Sequence, residues 1–140
     1  MVVVEDVIYI EGANHSGLDA GDVGSALDEE LYGAVHSDTA TLYSNIGVIL
    51  ANNGDYDNAL KYHFKALAIR EKALGLEHPD TAASYDNIGN VYNKIDYDEA
   101  LKYQLKALVI REKNLGPKHL DTATSYNNIG VTYAKKGDDY

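Results

Sequence analysis

From residue 38 onward, apolar residues recur at intervals of three and four, the spacing of one face of an α-helix. Tyr43, Ile46, Gly47 and Leu50 form one stripe, Tyr85, Ile88, Gly89 and Tyr92 a second, and Tyr126, Ile129, Gly130 and Tyr133 a third. Two further stripes lie between them, one built on Ala59, Tyr62, Ala66 and Leu67, the other on Ala100, Tyr103, Ala107 and Leu108. The pattern predicts alternating first and second helices. Asp38, Asp80 and Asp121 are the expected N-caps of the first helices, each followed by Thr-Ala. The second helices are expected to begin near Tyr56 and Tyr97, run to about Lys72 and Lys113, and end in turns at Gly75 and Gly116. Arg70 and Lys72, and again Arg111 and Lys113, fall in the last turns, where cations complement the helix dipole.

These stripes belong to a sequence repeat. The segment that starts at Asp38 returns at Asp80, with about 24 of 42 aligned positions identical, and a partial third copy starts at Asp121. The intervals are 42 and 41 residues, a period that marks a solenoid of helix pairs. The missing residue falls in the turn between the helices of the second copy. Asn53-Gly54-Asp55-Tyr56 of the first copy corresponds there to Lys94-Ile95-Asp96-Tyr97. The loss of a glycine that adopts positive φ cheaply predicts a changed turn with both flanking helices kept. Gly47, Gly89 and Gly130 are a different case: in mid-helix a glycine costs about 1 kcal/mol against alanine. Their recurrence points to close approach of the second helix, with Ala59 or Ala100 as the expected neighbour.

Composition narrows the function classes. The 140 residues contain no cysteine, which excludes disulfides, a thiol nucleophile and cysteine-ligated metal sites. The formal charge is -10, of which residues 1–37 contribute -8 with no Lys or Arg. The repeats are therefore nearly neutral, and neither part offers the clustered bases that nucleic acid requires. The run Met1–Ile10 lacks both a basic signal-peptide start and the ~20 apolar residues of a membrane span. The sequence thus predicts no membrane segment and a cytoplasmic location. Residues 1–24 read as an irregular acidic leader, with Val2–Ile10 a candidate short strand or docked segment. Residues 25–33 align weakly with 67–75, so 25–37 reads as the degenerate end of a preceding repeat. Then come repeat 1 (38–79), repeat 2 (80–120) and the first helix of repeat 3 (121–140).

The aromatic-x-x-Ile-Gly pattern, followed by Gly-Asp-Tyr-Asp-x-Ala and Lys-Ala-Leu, resembles the tetratricopeptide repeat. The longer period and the ending Ile-Arg-Glu-Lys-x-Leu-Gly-x-x-His resemble the 42-residue variant of kinesin light chains. The resemblance covers residues 38–140. It implies an all-α fold, a right-handed superhelical solenoid of antiparallel helix pairs, with the first helices lining a concave face that binds a protein or peptide. Carried onto this chain, that face includes Thr41, Ser44, Asn45 and Val48 in the first copy, and Asp86, Asn87, Asn90 and Lys94 in the second. Asn127, Asn128 and Lys135 follow in the third. The candidate peptide-binding residues are Asn45, Asn87, Asn90, Lys94, Asn127, Asn128 and Lys135. An amide donates to and accepts from an extended backbone, which suits Asn45, Asn87 and Asn128, the residues common to all copies. Ser44, Asp86 and Asn127 stand where a grip on a C-terminal carboxylate needs bases, so an extended non-acidic segment is the expected partner.

Other residue groups invite a chemical reading and receive a structural one. His36, His78 and His119 recur two residues before each capping Asp. Repeats stacked roughly 10 Å apart cannot bring three such side chains to one ion, so these residues are assigned to linker packing or cap bonding, with no metal. His63 gives way to Gln104 in the next copy and reads as a non-essential surface or edge position. The acids at Asp55, Asp57, Asp96, Asp98 and Glu99 sit where helix N-termini attract them. No nucleophile, base and acid are grouped, so neither enzyme activity nor a cofactor is expected. The alternative to peptide binding is a structural self-assembly module, because the third first-helix lacks a pair-mate and its stripe of Tyr126, Ile129 and Tyr133 would be available for self-association.

Overall fold

The computed structural model describes residues 25–138, with side chains from residue 36 to residue 137. The expected leader over 1–24 lies outside the described residues. Among those described, the chain forms α1 (Ser25–Asn52), α2 (Tyr56–Leu74), α3 (Pro79–Tyr92), α4 (Tyr97–Leu115) and α5 (Leu120–Asp138). Each helix packs against the next in a solenoid of antiparallel pairs, and α1 also touches α3.

The caps explain most boundaries and correct one expectation. Asp55 accepts from Asn58 N, and Asp96 from Asp98 N and Glu99 N, which fixes the starts of α2 and α4. Gly75 and Gly116, with φ of 98° and 89°, end those helices. At the start of α3, however, the cap is His78 and not Asp80: Pro79 has no N–H, and the first free one, that of Asp80, donates to His78 Nδ1 at 3.0 Å. His119 Nδ1 accepts from Asp121 N at the same 3.0 Å. Asp38 is no cap at all, because α1 runs unbroken from Ser25 to Asn52. Pro79 and Pro117 interrupt the two later linkers, whereas the stretch before Asp38 contains no proline to stop the helix.

The altered turn of the second copy has the expected consequence. Gly54 takes φ 87° between α1 and α2, while no non-glycine residue among those described has positive φ. In the second copy α3 stops at Tyr92, and Lys94 N and Ile95 N bond to Val91 O and Tyr92 O at 2.9 and 2.7 Å. Both flanking helices remain.

The core is a chain of small clusters. Ala40, Tyr43, Tyr62 and Ala66 join α1 to α2, while Leu67, Ala82, Tyr85, Ile88, Ala107 and Ile110 tie α2, α3 and α4 together. Tyr103 lies at the centre of an aromatic group. It stacks on Tyr92 with centroids 5.8 Å apart and planes at 4°, and meets Phe64 edge-on at 5.7 Å.

Polar pins fix the repeats to one another. Arg70 donates to Ser84 Oγ at 2.8 Å, and Tyr85 OH donates to Glu71 Oε2 at 2.9 Å. One repeat later Arg111 reaches Ser125 Oγ at 2.7 Å, and Tyr126 OH bonds to Glu112. Each Arg-Glu pair at the end of a second helix thus grips the Ser-Tyr pair of the following first helix. The expected role of Arg70 and Arg111 as dipole partners is secondary to this one. Burial and the Glu71 bond push the Tyr85 phenol up to about 12, so the hydroxyl stays a donor across the neutral range.

Candidate functional site

Gly47 on α1 and Gly89 on α3 sit where the second helices come closest. A Cβ at Gly47 would lie 2.7 Å from the His63 ring, and one at Gly89 would lie 2.8 Å from Gln104 Cγ and 3.2 Å from Ala100 O. The close approach expected at these glycines is present, with Ala100 contributing as foreseen at the second. At the first, the neighbour is His63 and not Ala59.

His63 is therefore not a surface or edge residue: it is 1% exposed, and Gln104 at the equivalent place is 0% exposed. Burial, reinforced by the charge of Arg70, lowers the His63 pKa from 6.5 to about 4, so the imidazole is neutral at physiological pH. Among the described residues its buried Nδ1 has no hydrogen-bond partner, nor does either polar atom of the Gln104 carboxamide. Such an orphan typically costs about 1–3 kcal/mol.

A cleft of about 260 Å³ opens above His63, between α1, α2 and α3. Val48, Ala51 and Asn52 line it from α1, Tyr56 and His63 from α2, and Asn87, Asn90 and Val91 from α3, with Lys94 in the following turn. Among these residues there is no carboxylate, and Lys94 is the one Lys or Arg.

The structure gathers Asn87, Asn90 and Lys94 into this cleft. Asn87 is half-buried, while Asn90 and Lys94 are exposed. Asn45 is exposed on α1 and lies outside the cleft lining. Asn127 and Lys135 are exposed on α5 and Asn128 is half-buried there, one repeat further along. Two positions expected on the open face are buried. Asp86 is 6% exposed and paired with Arg111 across 25 residues, and Ser44 is 7% exposed. Burial pushes the Asp86 carboxyl up, while Arg111 pulls the other way.

On α5 the corresponding stripe is uncovered. Ala40, Tyr43 and Gly47 are buried under α2, and Ala82, Tyr85 and Gly89 are buried as well, yet Ala123, Tyr126, Gly130 and Tyr133 are exposed. Tyr126 is 45% and Tyr133 54% exposed, and a Cβ at Gly130 would meet nothing within 4 Å among the described residues. No helix among the described residues is long and apolar enough to cross a membrane.

Comparison with known proteins agrees with this architecture. The family described as tetratricopeptide repeat matches residues 38–102 and 96–139. No curated protein matches the chain in sequence. Among solved structures, the chain is similar to BtubC (BKLC) from P. vanneervenii, with 24% sequence identity and a TM-score of 0.66. The likeness covers 79% of this chain and 48% of that one, so the chain spans about half the length of that protein. At this identity it shows the fold alone.

Proposed function

The chain belongs to the tetratricopeptide repeat family, and from that premise we propose that it is a protein- or peptide-binding scaffold whose ligand lies along the face formed by the first helices α1, α3 and α5. The family is one of interaction modules, typically without catalysis. The observation that carries the reading is the cleft between α1 and α3, where Asn87, Asn90 and Lys94 stand beside the apolar surfaces of Val48, Ala51 and Val91. Apolar walls supply burial, and carboxamides supply bonds to a polypeptide backbone. Among the described residues neither Asn87 nor Asn128 spends its carboxamide on a hydrogen bond within the protein, so both are available to a ligand. The bound segment is extended and non-acidic, since Lys94 and Lys135 are the only bases at the candidate contact positions among the described residues and a buried carboxylate needs a charge partner or several donors. A cytoplasmic location accords with the absence of cysteine.

Affinity capture with three forms of the intact protein tests the assignment. Partners retained by wild type are expected to be released by a folded Asn87→Ala/Asn128→Ala variant and kept by Lys61→Ala, a control on the exposed side of α2. Equal recovery by all three forms would remove the groove assignment.

A second reading, self-assembly, is favoured by one observation, the exposed Ala123, Tyr126, Gly130 and Tyr133 stripe. Covered copies of that stripe each carry a second helix, so a further helix of the same kind, from a second copy or a longer chain, fits there. Light scattering over a wide concentration range decides for this chain. Concentration-dependent growth in mass that Tyr133→Lys abolishes supports self-association, and a strict monomer refutes it.

A further inference from the structure

We infer that His63 determines the specificity of the cleft: its imidazole hydrogen-bonds one uncharged polar side chain, a carboxamide, hydroxyl or phenol, that a partner polypeptide inserts between α1 and α3. The inference rests on the groove reading above and adds which residue recognises the inserted group.

The orphaned nitrogen is the first support. His63 lines the cleft, is 1% exposed, and leaves its buried Nδ1 without a hydrogen-bond partner among the described residues. A phenylalanine would also fill the space over Gly47 and would leave nothing unpaired, so packing does not account for an imidazole here. A neutral imidazole carries one N–H and one lone pair, and so complements a neutral group that donates or accepts.

Charge is the second. Burial and the neighbouring Arg70 keep the ring neutral. A cationic side chain entering the cleft finds no carboxylate in its lining, and an anionic one would have to leave water for a neutral ring, with the exposed Lys94 the one base in the lining and Arg70 engaged with Ser84.

Size is the third. The volume of about 260 Å³ falls below the roughly 300–1,000 Å³ of sites that enclose a whole small molecule, so the cleft suits a single side chain. In the next repeat the same position holds Gln104, fully buried, with both carboxamide atoms unpartnered. A neutral hydrogen-bonding group thus recurs beneath the first helices one repeat further along.

Nitrogen-15 NMR of the full chain tests the inference with four small probes: p-cresol, propionamide, propionate and propylammonium. The two neutral probes are expected to shift the His63 imidazole nitrogens and the Asn90 amide saturably, and the two ions to leave them in place. His63→Phe, which fills the space but offers no nitrogen, is expected to weaken binding of the neutral probes about tenfold, the value of one lost hydrogen bond. His63→Gln, which places at 63 the residue type found at 104, is expected to retain binding. Unmoved imidazole resonances in wild type, as when a resident water keeps Nδ1, overturn the inference. So does tighter binding of either ion, or full probe affinity in folded His63→Phe. If His63→Phe keeps its partners while Asn87→Ala/Asn128→Ala loses them, this inference falls and the groove reading stands. If both variants keep every partner, the groove reading falls with it.

Discussion

Gly47, Gly89 and Gly130 occupy one position of the repeat, yet their surroundings differ enough to give opposite responses to one substitution. Gly47→Ala drives a methyl into the His63 ring, and Gly89→Ala into Gln104 Cγ and near the Ala100 carbonyl. Overpacking of this kind costs about 1–3 kcal/mol. Gly130→Ala meets open space in a helix and gains roughly 0.5–1 kcal/mol of helix propensity. Urea unfolding of the three variants checks the sign change. His63 adds a pH effect of definite sign. Its pKa is about 4 in the folded chain against 6.5 as a free side chain. Between those values the unfolded chain binds a proton that the folded one refuses, so stability falls as pH drops from about 6.5 towards 4 and loses no more from this group below that. Burial and the charge of Arg70 both oppose protonation of the ring. The measurement is the difference between wild type and His63→Gln in urea midpoints at pH 7 and pH 4.5, which isolates the contribution of this one side chain. The variant is expected to lose less stability on acidification.

At the scale of the helices, what was legible in the sequence follows from what is periodic. The second helices, their ends at Gly75 and Gly116 and the buried tyrosines could be read because each recurs with local spacing. Less legible were features that depend on one neighbour far along the chain or on one missing proline. Asp86 was expected on the open face because the resemblance to tetratricopeptide repeats puts it there, and nothing local announces Arg111 as its partner. The change from His63 to Gln104 looked like tolerance, although both residues are buried against a glycine of the facing first helix. The unbroken α1 follows from the absence of proline before Asp38, a negative signal that similarity between copies obscures. The Arg111 pin yields a prediction of its own. Arg111→Ala leaves Asp86 buried without its cation and frees Ser125, at a cost of about 3–5 kcal/mol. Arg111→Met with Asp86→Leu removes both charges and is expected to recover most of that loss. Recovery in urea denaturation would identify the penalty as an uncompensated charge, and no recovery would assign it to the lost bond with Ser125.

In the whole molecule, a solenoid's stability is a sum over helices and the interfaces between neighbours, so position along the stack governs local order. Helices α2, α3 and α4 are covered on two sides, and Tyr103 draws Phe64, Tyr85 and Tyr92 around it. Among the described residues α5 is held from one side, by Ile129, the Arg111–Ser125 and Tyr126–Glu112 bonds and Lys136 on Asp98, while the rings of Tyr126 and Tyr133 stay about half exposed. Native-state hydrogen exchange is therefore expected to find the slowest amides in α3 and α4 and faster exchange in α5. Extending the chain beyond α5 with a turn and a second copy of residues 97–115 tests the cause. A helix of that sequence presents Gln104 and Ala100 to Gly89 within the existing stack, so its duplicate has the same features to present to Gly130, where space is open. Burial of the two tyrosines is expected to slow exchange in α5 about tenfold or more, equivalent to ~1.4 kcal/mol of added local stability. Unchanged exchange in α5, in an extended chain whose added residues are helical, would mean that the stripe is already stable as a terminal surface and would weaken the case that it is built to receive another helix.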